Sequence, residues 1–423
     1  MTVPTVMKGP AQISRRDFLS TGAAFLAASH LELGLPRTTD GFITLINLVG
    51  GNDALNTLVP TRLQAYALQR PAIAIAPAAG LPLDTGPFAN SDYVLHPAMP
   101  ALASLYRAGF VAFVRTVGYA GANMSHFSSQ DVWSRGAVTP TQPDSGWIAR
   151  YKDLYAPEAI NVVALGLGQQ LDFRGGTTPS TFSLIPDPST LPPYTFTGDL
   201  PFRANDRLRF QVAEQVALRA RAVGLPERAR VAQLAMWDQF RELRGTTPPV
   251  VPPAYPGTSL GSVLSSSAEM LRAARPVKIF YALGGQADAF DTHYDQGGVV
   301  GRHAESLAVV DAALAAYAAD LQQMGVWNRA VIVLFSEFGR RNASTSTGTD
   351  HGTGGLMILI GGAVRGGMYG PDLTEEAVSA FTLPMLVDFR TVYEELLSRH
   401  LEVDPAPVFT ETYNRQPSLG VIL

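Results

Sequence analysis

The 423-residue chain contains no cysteine. That one absence excludes disulfides, thiolate nucleophiles, zinc–thiolate sites and iron–sulfur clusters. Charge is sparse as well: 16% of residues are Asp, Glu, Lys or Arg, with 32 basic against 36 acidic and a formal net charge of -4. No basic tract offers the run of cations that neutralises a phosphate backbone, so no nucleic-acid partner is expected. Beyond the N-terminus no segment is long and apolar enough to span a bilayer, so no membrane span is expected in the mature protein. What the chain does have is apolar material, 46% of its residues, enough for one large α/β domain or two smaller ones. Without thiols, any metal must be held by Asp, Glu, His, Asn or hydroxyl oxygens. That admits calcium, magnesium, manganese or a His/Asp zinc site as the divalent ion.

At the N-terminus, Ser14-Arg-Arg-Asp-Phe-Leu19 reads as a twin-arginine export signature, followed by a short apolar stretch from Thr21 to Ser29. The alternative is an amphipathic helix with two exposed arginines. The expected organisation is a signal peptide and linker over residues 1–35, then an α/β domain over 36–423 with an inserted segment at about 166–258. Export would place the protein in the periplasm or outside the cell, with the twin-arginine machinery as a transient partner.

From Gly41 onward, strand-like apolar runs alternate with helical patterns, which predicts a mostly parallel sheet covered by helices on both faces. Strands are expected at Phe42 to Leu48, Phe110 to Val114, Ile160 to Leu165, Val277 to Leu283, Ala330 to Phe335 and Leu356 to Ile360. Helices are expected at Pro97 to Arg107, from Ser125 to Arg135, 206–222, 226–244, Ser259 to Arg275, Ala304 to Met324 and Leu383 to Leu401. No internal repeat or extended low-complexity tract interrupts the pattern.

Several polar residues fall just beyond predicted strand ends, where α/β proteins build their sites. Asp53 follows the first strand behind Gly50-Gly51-Asn52, placed to ligate a metal or to cap the segment Ala54 to Thr57. Asp291 and His293 lie two apart, on one side of an extended segment, as a ligand pair or as an ordinary polar loop; Asp288 and Asp295 are near enough to substitute. Glu337 follows a strand with no charged residue, so its carboxylate needs a cation or a donor network, with Arg340 and Arg341 at hand. Asp350 and His351 sit in a Thr/Ser/Gly-rich loop between two apolar strands. Ser125, ahead of His126, is the candidate nucleophile or a plain helix N-cap, and Asn123 is an alternative ligand in the same turn. Three of the seven histidines (His126, His293 and His351) fall in these segments.

Gly50-Gly-Asn-Asp53, Ser125-His-Phe127, Phe290-Asp-Thr-His293, Ser336-Glu-Phe-Gly-Arg340 and Gly348-Thr-Asp-His-Gly352, in that order, resemble the bacterial family filed as domain of unknown function 1501. The resemblance runs roughly from Gly41 to Tyr393 and is most specific in the last third. That family looks like a branch of the alkaline phosphatase and sulfatase superfamily. The resemblance therefore implies a three-layer α/β/α sandwich with metal ligands at the carboxyl ends of its strands. It implies metal ligation by Asp53, Asp291, His293, Glu337 and His351 and a nucleophilic role for Ser125. Asp350 joins the expected ligands from its loop position beside His351, and Arg340 is expected to contact the anion through its charge. The chain departs from the pattern at Phe338, where two-metal phosphatases carry a histidine, in the close spacing of Asp291 and His293, and in lacking a cysteine to become formylglycine. The expected function is an exported, metal-dependent hydrolase of small anionic phosphate or sulfate esters. The alternatives are a non-catalytic envelope protein of the same fold that binds a partner or glycan, and a phosphoryl or sulfuryl transferase.

Overall fold

The computed structural model describes residues 40–139, 145–157, 162–165, 175, 252–285, 289–413 and 415–423. Thr39–Leu423 form one compact unit. The expected export segment, the helices expected at 206–222 and 226–244, Asp288 and nearly all of the insertion expected at about 166–258 lie outside the described residues.

The described strands are β1 (Phe42–Asn47), β2 (Leu58–Pro60), β3 (Leu81–Pro82), β4 (Tyr93–Leu95), β5 (Val111–Gly118), β6 (Val162–Leu165) and β7 (Ile279–Leu283). They continue as β8 (Ala330–Phe335), β9 (Gly339–Arg340), β10 (His351–Gly352), β11 (Gly355–Ile360), β12 (Gly367–Tyr369) and β13 (Val387–Asp388). The helices are α1 (Ala54–Thr57), α2 (Gln64–Gln69), α3 (Pro100–Arg107), α4 (His126–Arg135) and α5 (Trp147–Tyr155). They continue as α6 (Ser259–Arg272), α7 (Arg302–Gln323), α8 (Glu375–Ser379) and α9 (Phe389–Glu395).

The main sheet runs β12-β5-β11-β8-β1-β7-β6, with β13 also beside β5. Its strands are parallel except β11, which is antiparallel to both β5 and β8. The carboxyl ends of β1, β5, β7 and β8 therefore open on one edge, and the loop feeding β11 begins there too. Every residue of β1 is buried, as expected for a strand covered on both faces. Ile43 and Leu45 join Trp133, Trp147, Tyr151, Phe389 and Tyr393 of α4, α5 and α9 in one core. On the opposite face, Thr44 Oγ1 meets the Tyr317 hydroxyl of α7 at 3.0 Å, and α7 packs on α3 and α6. Asp311 of α7 accepts from the Ala101 and Leu102 amides, so the long helix also caps α3. The expected α/β class with a mostly parallel sheet is the observed one.

The two boundaries that differ most instructively from expectation are the end of β5 and the start of α9. β5 runs on to Gly118 because Arg115, a charge that reads as a strand end, is satisfied inside the sheet by Asp372, Tyr369 O and Gly370 O. The last helix starts at Phe389 rather than Leu383. Val387–Asp388 pairs with β5 instead, and Asp388 caps α9 by accepting from the Arg390 amide at 2.9 Å. Among the described residues, no helix is long and apolar enough to cross a membrane.

Candidate metal centre

The turn after β1 depends on glycine. Gly50 has φ 118°, and a Cβ there would meet the Asp291 amide nitrogen at 2.2 Å. Gly51 has φ 85°, and a Cβ there would collide with the Phe338 ring. With no side chains in the way, three loops meet. Phe290 N donates to Val49 O, Thr349 N donates to Thr292 O, and Gln296 N donates to Thr347 O.

Arg340 is the hub of this junction. Its guanidinium donates to Gly51 O at 2.7 Å, Thr349 O at 2.8 Å, Phe290 O at 2.8 Å, Asp291 Oδ1 at 2.6 Å, and also to Gly50 O. It is fully buried. The expectation that Arg340 contacts a substrate anion is therefore corrected: its donors are spent on backbone carbonyls. Arg341 has the exposure that Arg340 lacks. Its guanidinium is 2.9 Å from Asp350 Oδ2 and lies 4.2 Å over the Phe381 ring.

Asp53 is also corrected. Its Oδ1 accepts from the Leu55 and Asn56 amides as the cap of α1, and its Oδ2 accepts from Arg70 and Gln296. Burial pushes its carboxyl up, but Arg70 outweighs this and the net shift is downward. Both oxygens are thus committed to a cap and a buried ion pair. The capping alternative for Asp53 is the one observed.

What does converge is a set of imidazoles. His126 Nδ1 is 2.8 Å from Glu337 Oε1, His293 Nδ1 is 3.0 Å from Asp350 Oδ1, and His351 Nδ1 is 2.8 Å from Met124 O. A carboxylate or carbonyl oxygen only accepts, so each Nδ1 donates in its contact. In the neutral tautomer Nε2 then holds the lone pair and can take a cation, whereas a protonated ring would donate from Nε2 to Asp291. Those Nε2 atoms gather on Asp291. His293 and His351 are each 3.1 Å from Oδ1, and His126 is 3.5 Å from Oδ2. His126 Nε2 is buried without a hydrogen-bond partner. The His293 and His351 Nε2 atoms are 2.9 Å apart, a contact that two lone pairs tolerate only with a proton or cation near both. Among the described residues, His126, Asp291 and His351 have donor atoms within 4.8 Å of one another and could share one ion, with His293 adjacent.

Glu337 and Asp350, expected as ligands, instead stand behind the imidazoles. Glu337 is buried; it accepts from the Gly50 amide at 3.0 Å and orients His126. Asp350 orients His293 and pairs with Arg341. Hydrogen bonding to Glu337 raises the His126 pKa against burial. Burial lowers that of His351, opposed by Met124 O and Asp291. Burial raises the Asp291 carboxyl, but Arg340, His351 and His293 bring its net shift down.

Ser125 is the N-cap of α4, yet its side chain makes no capping bond. The cap position is held by Asn123 Oδ1, which accepts from the Ser125 amide at 3.0 Å, and by the left-handed Met124 at φ 58°. The hydroxyl is therefore not consumed by the helix. The buried Phe338 ring sits 4.9 Å from His126 and 4.6 Å from His351, an apolar wall to the imidazole cluster. His126, one of the three histidines noted in these segments, is given no role from the sequence. Its signal was position alone, directly after Ser125 and in the same set of segments as His293 and His351.

No curated protein matches the chain. Among solved structures it is similar to a sulfatase from Pseudoalteromonas sp., at 12% identity over 91% of this chain and 72% of that one, with a TM-score of 0.36. It is similar to a phosphonate monoester hydrolase of Agrobacterium radiobacter, at 11% identity over 89% and 79%, with a TM-score of 0.34. It is also similar to an alkaline phosphatase from the Antarctic bacterium TAB5, at 10% identity over 89% and 99%, with a TM-score of 0.34. No residue's role is taken from likenesses this distant. Residues 267–413, which hold Asp291, His293, Glu337, Asp350 and His351, match the family described as "Protein of unknown function (DUF1501)".

Proposed function

We propose that the chain is a hydrolase of phosphate or sulfate esters that uses one divalent ion held by His126, His351 and Asp291, with His293 beside them. The observation that carries this reading is the convergence of three oriented imidazole Nε2 atoms on one carboxylate. Such a donor set suits zinc better than calcium or magnesium, which prefer all-oxygen sites. The donors are partly exposed, with side-chain exposures from 21% to 34%, as in catalytic rather than closed structural sites. A bound divalent ion would supply Lewis acidity and lower the pKa of a nearby hydroxyl.

The chain's own residues supply the rest. Asp291, Glu337 and Asp350 carry three negative charges against the two positive charges of Arg340 and Arg341, so a divalent cation would turn the site net positive and favourable to an anionic ester. Ser125 offers a hydroxyl free of capping duty at the start of α4, where the unpaired amides of the first turn also favour anions. In this reading Ser125 Oγ bonds to phosphorus or sulfur, the alcohol leaves, and water hydrolyses the seryl ester to restore the hydroxyl. Arg341 stands where it can meet the ester's outer oxygens.

Export by the twin-arginine route, and a place in the periplasm or outside the cell, belong to the same proposal. They rest on the Ser14-Arg-Arg-Asp-Phe-Leu19 motif and the apolar stretch that follows. A second reading, a binding protein that keeps one ion, is favoured by Phe338, an apolar ring packed against His126 and His351 where the resembled pattern carries a histidine.

The test is alcohol release from aryl phosphates and aryl sulfates by the metal-loaded protein and by Ser125→Ala. Turnover that falls by about 100-fold or more in the variant supports the serine hydrolase. Equal turnover in both removes Ser125 from the mechanism, and no turnover with stoichiometric metal favours the binding protein.

A further inference from the structure

Three aromatic side chains stand strongly exposed among the described residues: Phe127 at 87%, Tyr294 at 71% and Phe381 at 62%. A single exposed ring is ordinary. Here, however, all three lie on or beside the segments that carry the imidazole cluster. Phe127 directly follows His126, and Tyr294 directly follows His293. Phe381 lies under the guanidinium of Arg341, which pairs with the Asp350 that orients His293. Val299 and Val300, also exposed, continue the Tyr294 loop. Three separate segments that build or border the polar, half-buried centre thus each carry an exposed aromatic side chain, a candidate rim for a bound molecule.

We propose that this rim binds the alcohol portion of the substrate, and that the substrate class is an anionic ester of a hydrophobic alcohol. The anionic end of this inference rests on the hydrolase reading; the apolar end rests on the rim. A sugar is a poorer fit, because ring recognition of a sugar needs hydrogen-bonding groups alongside the rings, and of these five side chains only Tyr294 carries one. The rings adjoin the charged centre, two through the neighbouring histidines in sequence and one through Arg341. One ligand can therefore place its charged group on the centre and its apolar group on the rim.

The test uses the metal-loaded protein with n-alkyl phosphates from ethyl to octyl, and with the matching n-alkylphosphonates as non-hydrolysable probes, all below the concentrations at which they aggregate. Primary alcohols across this series have nearly constant acidity, so chain length varies only apolar contact. The expected result is an increase of about twofold to fourfold in kcat/KM, and in phosphonate affinity, for each added methylene, fourfold corresponding to full burial. That dependence should flatten in Phe127→Ser combined with Tyr294→Ser while bound metal is retained.

Phosphonate affinity that climbs with chain length and flattens in the variant, without turnover of any ester, upholds the rim and overturns the hydrolase. Turnover that is indifferent to chain length, or a chain-length dependence that survives in the variant, overturns the rim and leaves the hydrolase standing. Neither binding nor turnover overturns both.

Discussion

At the scale of single residues, the centre separates groups that hold structure from groups free to do chemistry. Arg340 and Arg341 are adjacent, yet one is sealed among four carbonyls and Asp291, and the other is over a third exposed. Arg340→Ala would leave those acceptors and Asp291 without their cation. It is expected to cost about 3–5 kcal/mol of stability, read from denaturant unfolding. Arg341→Gln is expected to change stability by less than ~1 kcal/mol but to raise KM for an anionic ester by about 10-fold. The reverse pattern would show that the roles are misassigned. The sequence alone could not make this distinction, because both arginines follow Glu337 and nothing local says which one turns inward. The same holds for Asp53. Its place after a strand was legible, but its commitment to Arg70 and Gln296 depends on residues 17 and 243 positions away.

At the scale of elements, the centre is a product of loop convergence, and Gly50 is where two loops touch. Gly50→Ala would force a Cβ into the Asp291 backbone at a positive φ. It is expected to destabilise the fold by more than about 1 kcal/mol and to weaken metal binding together with it; thermal unfolding and metal content on one preparation would show both effects. A variant as stable and as metal-replete as the parent would mean that the loop junction does not shape the site. The strands that bring these loops together were readable from unbroken apolar runs, since β1, β8 and β11 fall within a residue of their expected limits. The end of β5 and the start of α9 were not. Each is decided by a partner distant in sequence, the acceptors around Arg115 and the pairing of Val387–Asp388 with β5.

At the scale of the whole molecule, stability should depend on pH through histidines buried away from the centre. Burial holds the His303 imidazole down to about 3 and that of His400 to about 4. In the unfolded chain both would take up a proton near the ordinary histidine value of about 6.5. Between these limits the unfolded state binds more protons, so stability falls as pH drops from about 6.5 toward 4. Asp311, pushed up to about 6 by burial, acts in the opposite direction. The contribution of His303 is therefore isolated by comparing the parent with His303→Gln. The variant's melting temperature should decline less steeply between pH 7 and 5, and identical slopes would remove His303 from the account. Fold class and the segments bearing the site were legible in the sequence, whereas the division of labour among the carboxylates required tertiary contacts.

The most direct measurement is the metal content of the folded protein, determined by elemental analysis after dialysis against trace metals, for the parent, His126→Ala and Asp53→Asn. The account predicts one tightly held ion per chain, most readily zinc, lost in His126→Ala and kept in the folded fraction of Asp53→Asn. A parent that binds no ion, or a His126→Ala variant that holds its ion as firmly as the parent, would contradict it.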